Sequence, residues 1–222
     1  SSRHGARPWS TEKREMARVL VLFAHPALEK SRVHRRLVER VRALSGVTLH
    51  DLYEAYPDFD VDVRREQELL LAHDVVVLQH PFYWYGTPAL VKQWEDLVLE
   101  HGWAYGTGGK ALRGKRLVSA ITTGGGEAAY AEAGHNRFTI RQLLAPIEQT
   151  ARLCGMDYPP PFVVHGTHRL DAEGIERAAD EYGRFVAALR DDRLDFDAAR
   201  ELPRLNADPG RVLRPEPPSS GD

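Results

Sequence analysis

The sequence predicts an α/β protein, a five-stranded parallel doubly wound sheet flanked by helices, flavodoxin-like in layout. Three observations predict it. Short apolar runs recur at residues 19–24, 47–52, 75–78, 117–121 and 162–164. Amphipathic helical stretches stand between them, and such alternation is how a parallel sheet is written in sequence. The run Val75-Val76-Val77-Leu78 is apolar without a break, as a strand covered on both faces must be.

A length of 222 residues suits a single α/β domain with an ample core. The formal net charge of −2 gives no electrostatic footprint for nucleic acid. No stretch approaches the roughly 18 apolar residues of a membrane span, and no secretory signal opens the chain. The single cysteine, Cys154, leaves no internal disulfide and fits a reducing compartment. The expectation is a cytoplasmic protein.

Residues 1–15 are polar and aperiodic, a leader or expression remnant before a candidate start at Met16, and they are set aside from the fold. The first strand, 19–24, ends at His25-Pro26. Ser31 is placed to cap a helix whose Leu37, Val38, Val41 and Leu44 share a face before Gly46 stops it. A second strand covers 47–52, a polar and aromatic connection 53–62, and a short helix 63–72. The central strand breaks at Gln79-His80-Pro81. Thr87 reads as the next N-cap with Pro88 at the first helical position. The glycine-rich excursion 101–115 can fold over a site or reach a partner subunit. After the fourth strand a helix runs from about 136 to 153, with Pro146 bending or restarting it. Asp171 caps the last helix, which carries Ile175, Ala178, Tyr182, Phe185 and Leu189. Residues 16–191 form the expected domain. The charged, proline-rich 192–222 suits a poorly packed tail.

Three strand ends carry suspicious loops, and in open α/β sheets ligands bind at the carboxyl ends of strands. Between the third strand and its helix stand four consecutive aromatics, Phe82, Tyr83, Trp84 and Tyr85. Any one of them can pad a core, but four in a row cannot all point inward, so a flat π-rich ligand is expected. The first loop lacks the dinucleotide and P-loop signatures. It still sets Ser31, Arg32, Val33 and His34 at a helix start, where free N–H groups attract an anion. Taken alone, Ser31 is more simply a plain cap and His34 a solvated side chain. The third loop, Thr122-Thr123-Gly124-Gly125-Gly126-Glu127, offers hydroxyls and backbone that a ligand can approach closely. Downstream lie Tyr130 and His135, each by itself readable as a surface residue. The histidines show no metal-ligand spacing, and no G-x-S-x-G nucleophile motif is present.

The segments LFAHP, LYEAYPDFDVD, QHPFYWYGTPALVKQWEDLV, HGWAYG and ITTGGGE, in that order, resemble the flavodoxin-like NAD(P)H:quinone oxidoreductase family. The resemblance is nearest to its bacterial branch, the ancillary oxidoreductases of glutathione-regulated potassium-efflux (Kef) systems, and covers roughly residues 19–189. It implies a homodimer holding FMN, with FAD as the alternative, that passes hydride in two steps from NAD(P)H to a quinone. It implies that His25 and Ser31, Arg32, Val33 and His34 hold the ribityl phosphate. Phe82, Tyr83, Trp84 and Tyr85 would frame the isoalloxazine, and Thr122, Thr123, Gly124 and Gly125 would grip its other edge. Tyr130 and His135 match a tyrosine and a histidine that assist hydride transfer in the animal members. Relatives often carry Asn in place of His34, and some bacterial ones carry Phe in place of Tyr130. The alternative role is a regulatory subunit docked on a membrane potassium–proton antiporter. A one-electron carrier is disfavoured, since such shuttles are strongly acidic.

Overall fold

Residues 16–215 of the chain are described by a computed structural model. Five strands, β1 (Val19–Phe23), β2 (Val47–Asp51), β3 (Val75–Pro81), β4 (Arg116–Thr122) and β5 (Phe162–Val164), form one sheet in the order β2-β1-β3-β4-β5. Every pairing is parallel. The fold is the expected one, with β1 and β3 at its centre.

The sheet separates two apolar layers by the period-two rule of strands. Val19 and Val21 face one side with Val33, Leu37 and Val41 of α1 (Arg32–Arg42) and with Ile175, Tyr182 and Phe185 of α7 (Ala172–Arg190). Leu20 and Leu22 face the other, with Leu70 of α3 (Val63–Ala72), Val91, Trp94 and Val98 of α4 (Ala89–Val98), and Ile147 of α6 (Ala145–Leu153). A one-turn helix, α2 (Leu52–Ala55), follows β2, with Asp51 as its cap.

A buried carboxylate fastens this second layer. Glu66 on α3 accepts from Trp94 Nε1 (2.9 Å), His50 Nε2 (2.7 Å) and the Tyr56 hydroxyl (2.5 Å). Burial alone would raise its pKa, but these donors outweigh burial and hold it below the ordinary value. The carboxylate thereby ties α3 to α4 through Trp94 and to the edge strand β2 through His50, and Tyr56 is the one residue that the motif LYEAYPDFDVD supplies to it.

The sequence expectations differ from the structure at four places. β3 does not break at Gln79-His80-Pro81; all three continue the ladder against Ala120, Ile121 and Thr122 of β4. A proline at the last strand position forfeits only one donor. Pro88, not Thr87, occupies the N-cap of α4, with no side-chain cap bond. The helix expected from about 136 is two pieces, α5 (Ile140–Leu143) and α6, broken at Leu144, with Pro146 in the first turn of the second. Thr139 and Gln142 form a capping box, which sets the later start.

The fourth difference is the segment after Asp191, which is packed and not loose. It holds α8 (Phe196–Arg200) and α9 (Pro209–Val212), and Leu194, Ala199, Leu205 and Val212 are buried in the α1/α7 layer. Asn206 pairs with the free side of β5, accepting from Val163 N (3.1 Å) and donating to Val163 O (3.0 Å). The 101–115 excursion also folds back on its own domain, burying Ala104 and Leu112. The expected leader, 1–15, and the end of the tail, 216–222, lie outside the described residues.

Candidate functional site

The chain leaves β1 at His25, which is nearly buried. Its Nδ1 accepts the Ala27 N–H at 3.0 Å, so the ring proton sits on Nε2, facing the Tyr83 hydroxyl at 3.5 Å. Burial lowers its pKa. A 3-10 turn, Leu28–Lys30, delivers Ser31, whose hydroxyl accepts the His34 N–H at 3.1 Å. The first-turn N–H groups of Arg32 and Val33 have no intrahelical acceptor, as at any helix start. With the exposed Lys30 and Arg32 at the rim, they make the positive end of the site.

The aromatic loop is a tight turn. Gly86 N donates to Tyr83 O at 3.0 Å, and the two central residues, Trp84 (φ 49°) and Tyr85 (φ 64°), are both left-handed. Such backbone costs an L-residue roughly 1–2 kcal/mol each. Phe82 turns inward, whereas Tyr83, Trp84 and Tyr85 stand out, Trp84 with 94% of its surface exposed. One ring in and three out answers the sequence argument that four could not all be core.

The third strand end is set from behind by a chain of buried side chains. The Tyr182 hydroxyl donates to Gln79 Oε1 (2.9 Å), the Gln79 amide lies 3.4 Å from His34 Nδ1, and His34 Nε2 lies 2.9 Å from Thr122 Oγ1. Burial pushes the His34 pKa well below its ordinary value, so the ring is neutral. The Gln79 amide then donates to Nδ1, and Nε2–H donates to Thr122. The Thr122 hydroxyl proton is thereby left to donate elsewhere. Thr123 turns the other way: its hydroxyl donates to Gly125 O at 2.8 Å and faces His165 Nδ1 at 3.0 Å, fixing the glycine loop. A Cβ on Gly124 would lie 2.8 Å from the His168 ring, so a larger residue there would have to push that exposed side chain aside.

These three ends enclose a cavity of about 400 Å³ whose lining includes His25, Ser31, Arg32, Val33, His34, Phe82, Tyr83, Thr122 and Gly124. Nine of the thirteen expected cofactor contacts thus share one cavity. Tyr85 lines a neighbouring groove of about 500 Å³ between α4 and α6, with Phe82 and Leu143. Thr123 and Gly125 act behind the loop, and Trp84 faces outward. Tyr130 is half-buried, its ring 6.4 Å from Phe82 and 5.7 Å from His165. His135 is exposed and lines none of these cavities. Lys30, Thr167 and His168 also line the main cavity and were not among the expected contacts. The last two follow β5, so the rule that ligands gather at strand carboxyl ends could have found them.

Among the described residues no cluster of three His, Cys, Asp or Glu could hold a metal, and no helix is long and apolar enough to cross a membrane.

A family model described as having a flavodoxin-like fold matches residues 17–186. The NAD(P)H oxidoreductase YrkL of Bacillus subtilis (strain 168), itself uncharacterised, is 44% identical over 171 residues, 77% of this chain and 98% of that one. The glutathione-regulated potassium-efflux system ancillary protein KefF of Enterobacter sp. (strain 638) is 44% identical over 164 residues, 74% of this chain and 92% of that one. General stress protein 14 of Treponema denticola, solved in complex with FMN, superposes with a TM-score of 0.74 at 40% identity, over 78% of this chain and 99% of that one. An NADPH-quinone reductase from P. pentosaceus superposes with a TM-score of 0.69 at 34% identity, over 76% and 96% of the two chains.

Proposed function

The chain belongs to the family with the flavodoxin-like fold, and on that footing we propose that it is an FMN-dependent NAD(P)H:quinone oxidoreductase. The observation that carries the reading is the cavity of about 400 Å³ at the ends of β1, β3 and β4. Its donor set fits one phosphate ester joined to a flat ring system. N–H groups of Arg32 and Val33 with the Lys30 and Arg32 cations would receive the phosphate, the Thr122 hydroxyl would donate to the ring edge, and Tyr83 and Phe82 would flank the ring. The first loop carries neither the dinucleotide nor the P-loop signature that would take a pyrophosphate, which favours FMN over FAD.

FMN, when bound, supplies the hydride-accepting and hydride-donating chemistry. NAD(P)H, one proton and a quinone enter, and NAD(P)⁺ and hydroquinone leave. The chain orients donor and acceptor in turn over the same face. Tyr130, whose pKa burial raises, stays protonated beside Phe82 as a hydrogen-bond donor. His135 belongs to the proposal through its motif alone. If His135→Ala leaves the single-turnover hydride-transfer rate unchanged, that residue drops out. A homodimer is part of the reading, because Leu153 stands exposed in the lining of the groove between α4 and α6, and Leu97 of α4 is exposed as well.

The test is one preparation. The denatured holoprotein should release FMN, light scattering should give a dimer, and anaerobic stopped-flow should show bleaching by NADH or NADPH and reoxidation by a quinone panel. Release of FAD sinks the FMN assignment, and failure to bind any flavin sinks the enzyme. The likeness to KefF supports a second reading, a subunit docked on a potassium-efflux antiporter, which co-purification with such an antiporter would decide.

A further inference from the structure

A smaller cavity of about 180 Å³ lies beside Tyr130, walled by the glycine loop, α5 and β5 and closed by Pro203 and Arg204. The last two belong to the segment beyond residue 186, where the family model ends. We propose that this cavity binds the carboxylate of a small aromatic acid. Resting on the oxidoreductase reading, it makes a carboxylated quinone the preferred electron acceptor.

The charge argument comes first. Arg204 Nη1 donates to Glu127 at 2.6 Å, which fixes the guanidinium in place. Its Nε is buried with no partner, an unused donor in a side chain that lines the cavity. A buried N–H left unpaired is costly, and an incoming anion is what would satisfy it. Arg141 brings a second guanidinium from α5, and the only carboxylate in the lining is Glu127, already engaged. Guanidinium forks match carboxylate geometry.

The shape argument narrows the ligand. Tyr130 and His165 present rings 5.7 Å apart at 38°, and Ile140 and Val163 supply apolar wall. Burial lowers the His165 pKa, with Arg204 adding to the effect, so this ring is neutral and adds no charge. The Thr139 hydroxyl accepts from Gln142 N at 3.2 Å, which leaves its own proton to donate to a bound anion. Such a volume accepts one substituted ring and is too small for a nucleotide, since sites for larger ligands run to roughly 300–1,000 Å³.

The test titrates the oxidised holoenzyme with benzoate and separately with inorganic phosphate, by calorimetry, in wild type, Arg204→Gln and Arg141→Gln. Benzoate should bind, and each variant should weaken it on the order of 10-fold or more, the loss of one charge-assisted hydrogen bond. Arg204→Gln also breaks the Glu127 pair, so Arg141→Gln gives the answer free of that change. Arg204→Lys, which keeps charge but loses the fork, should recover only part of the affinity. A kinetic arm compares kcat/KM for a carboxybenzoquinone and its uncharged parent, and both Gln variants should lower that ratio. Absence of benzoate binding, or binding that neither Gln variant weakens, overturns the site. Phosphate displacing benzoate with the same variant sensitivity overturns the aromatic-acid assignment in favour of a cofactor phosphate. Variant-sensitive benzoate binding in a protein that reduces no quinone upholds the site and overturns only the oxidoreductase reading.

Discussion

The Thr122 hydroxyl gets its direction from a residue on the far helix. Tyr182, Gln79 and His34 pass a single sense of hydrogen bonding through the α1/α7 layer to the cavity wall. Tyr182→Phe keeps the ring packing and removes only the first donor. It should cost about 1–3 kcal/mol in urea denaturation, because Gln79 Oε1 stays buried without a partner. It should also weaken flavin binding, since the Gln79 amide is then free to turn over and reverse the chain. A variant with wild-type stability and wild-type flavin affinity would show that the chain carries nothing. His34 illustrates what sequence could and could not say. Its place at a helix start was legible from Ser31, whose hydroxyl does accept its N–H. The direction of its ring was not, because the partners that bury it, Gln79 and Thr122, lie 45 and 88 residues away.

Among the elements, the Trp84-Tyr85 turn trades stability for presentation. Two aromatic residues hold left-handed backbone that glycine would adopt freely, and Trp84 makes little contact in return. Trp84→Gly should therefore raise the stability of the cofactor-free protein by about 1 kcal/mol, relieving the left-handed penalty. It should at the same time lower turnover, because a glycine there loosens the turn that holds Tyr83 at the cavity wall. Unchanged turnover would separate the turn from function, and lower stability would mean that the strain argument fails. The strands and the Ser31 and Asp171 caps were legible because each rests on local periodicity or a short-range side-chain bond. The segment after Asp191 was not. Its prolines suggested loose chain, but Leu194, Ala199, Leu205 and Val212 find the core through contacts far from them in sequence. Burial of the two leucines and the valine contributes roughly 1.5–3 kcal/mol each, which outweighs the compositional signal.

For the whole molecule the buried histidines set the acid limit. Burial lowers the pKa of His25, His34 and His165 and brings His80 to about 4. A depressed histidine is neutral in both states above about 6.5, so it leaves stability untouched there. As pH falls below 6.5 the unfolded chain takes up protons that the folded chain refuses, and stability drops until the folded pKa is reached. For His80 the window is about 6.5 to 4 and the loss about 3 kcal/mol. The urea midpoint should fall steadily through that window, and His80→Asn should flatten part of the slope. A midpoint independent of pH from 6.5 to 4.5 would contradict the burial account. At the same scale, Asn206 has a consequence for how this protein behaves in a crowd. A bare strand edge is a template on which another chain can zip, the first step toward fibres and domain-swapped assemblies. β5 is only three residues long, and one carboxamide occupies the free N–H and C=O of its middle residue. A version trimmed after Asp191 would bare that edge together with the apolar surface under Leu205 and Val212, and its characteristic failure would be self-association into insoluble β-rich material.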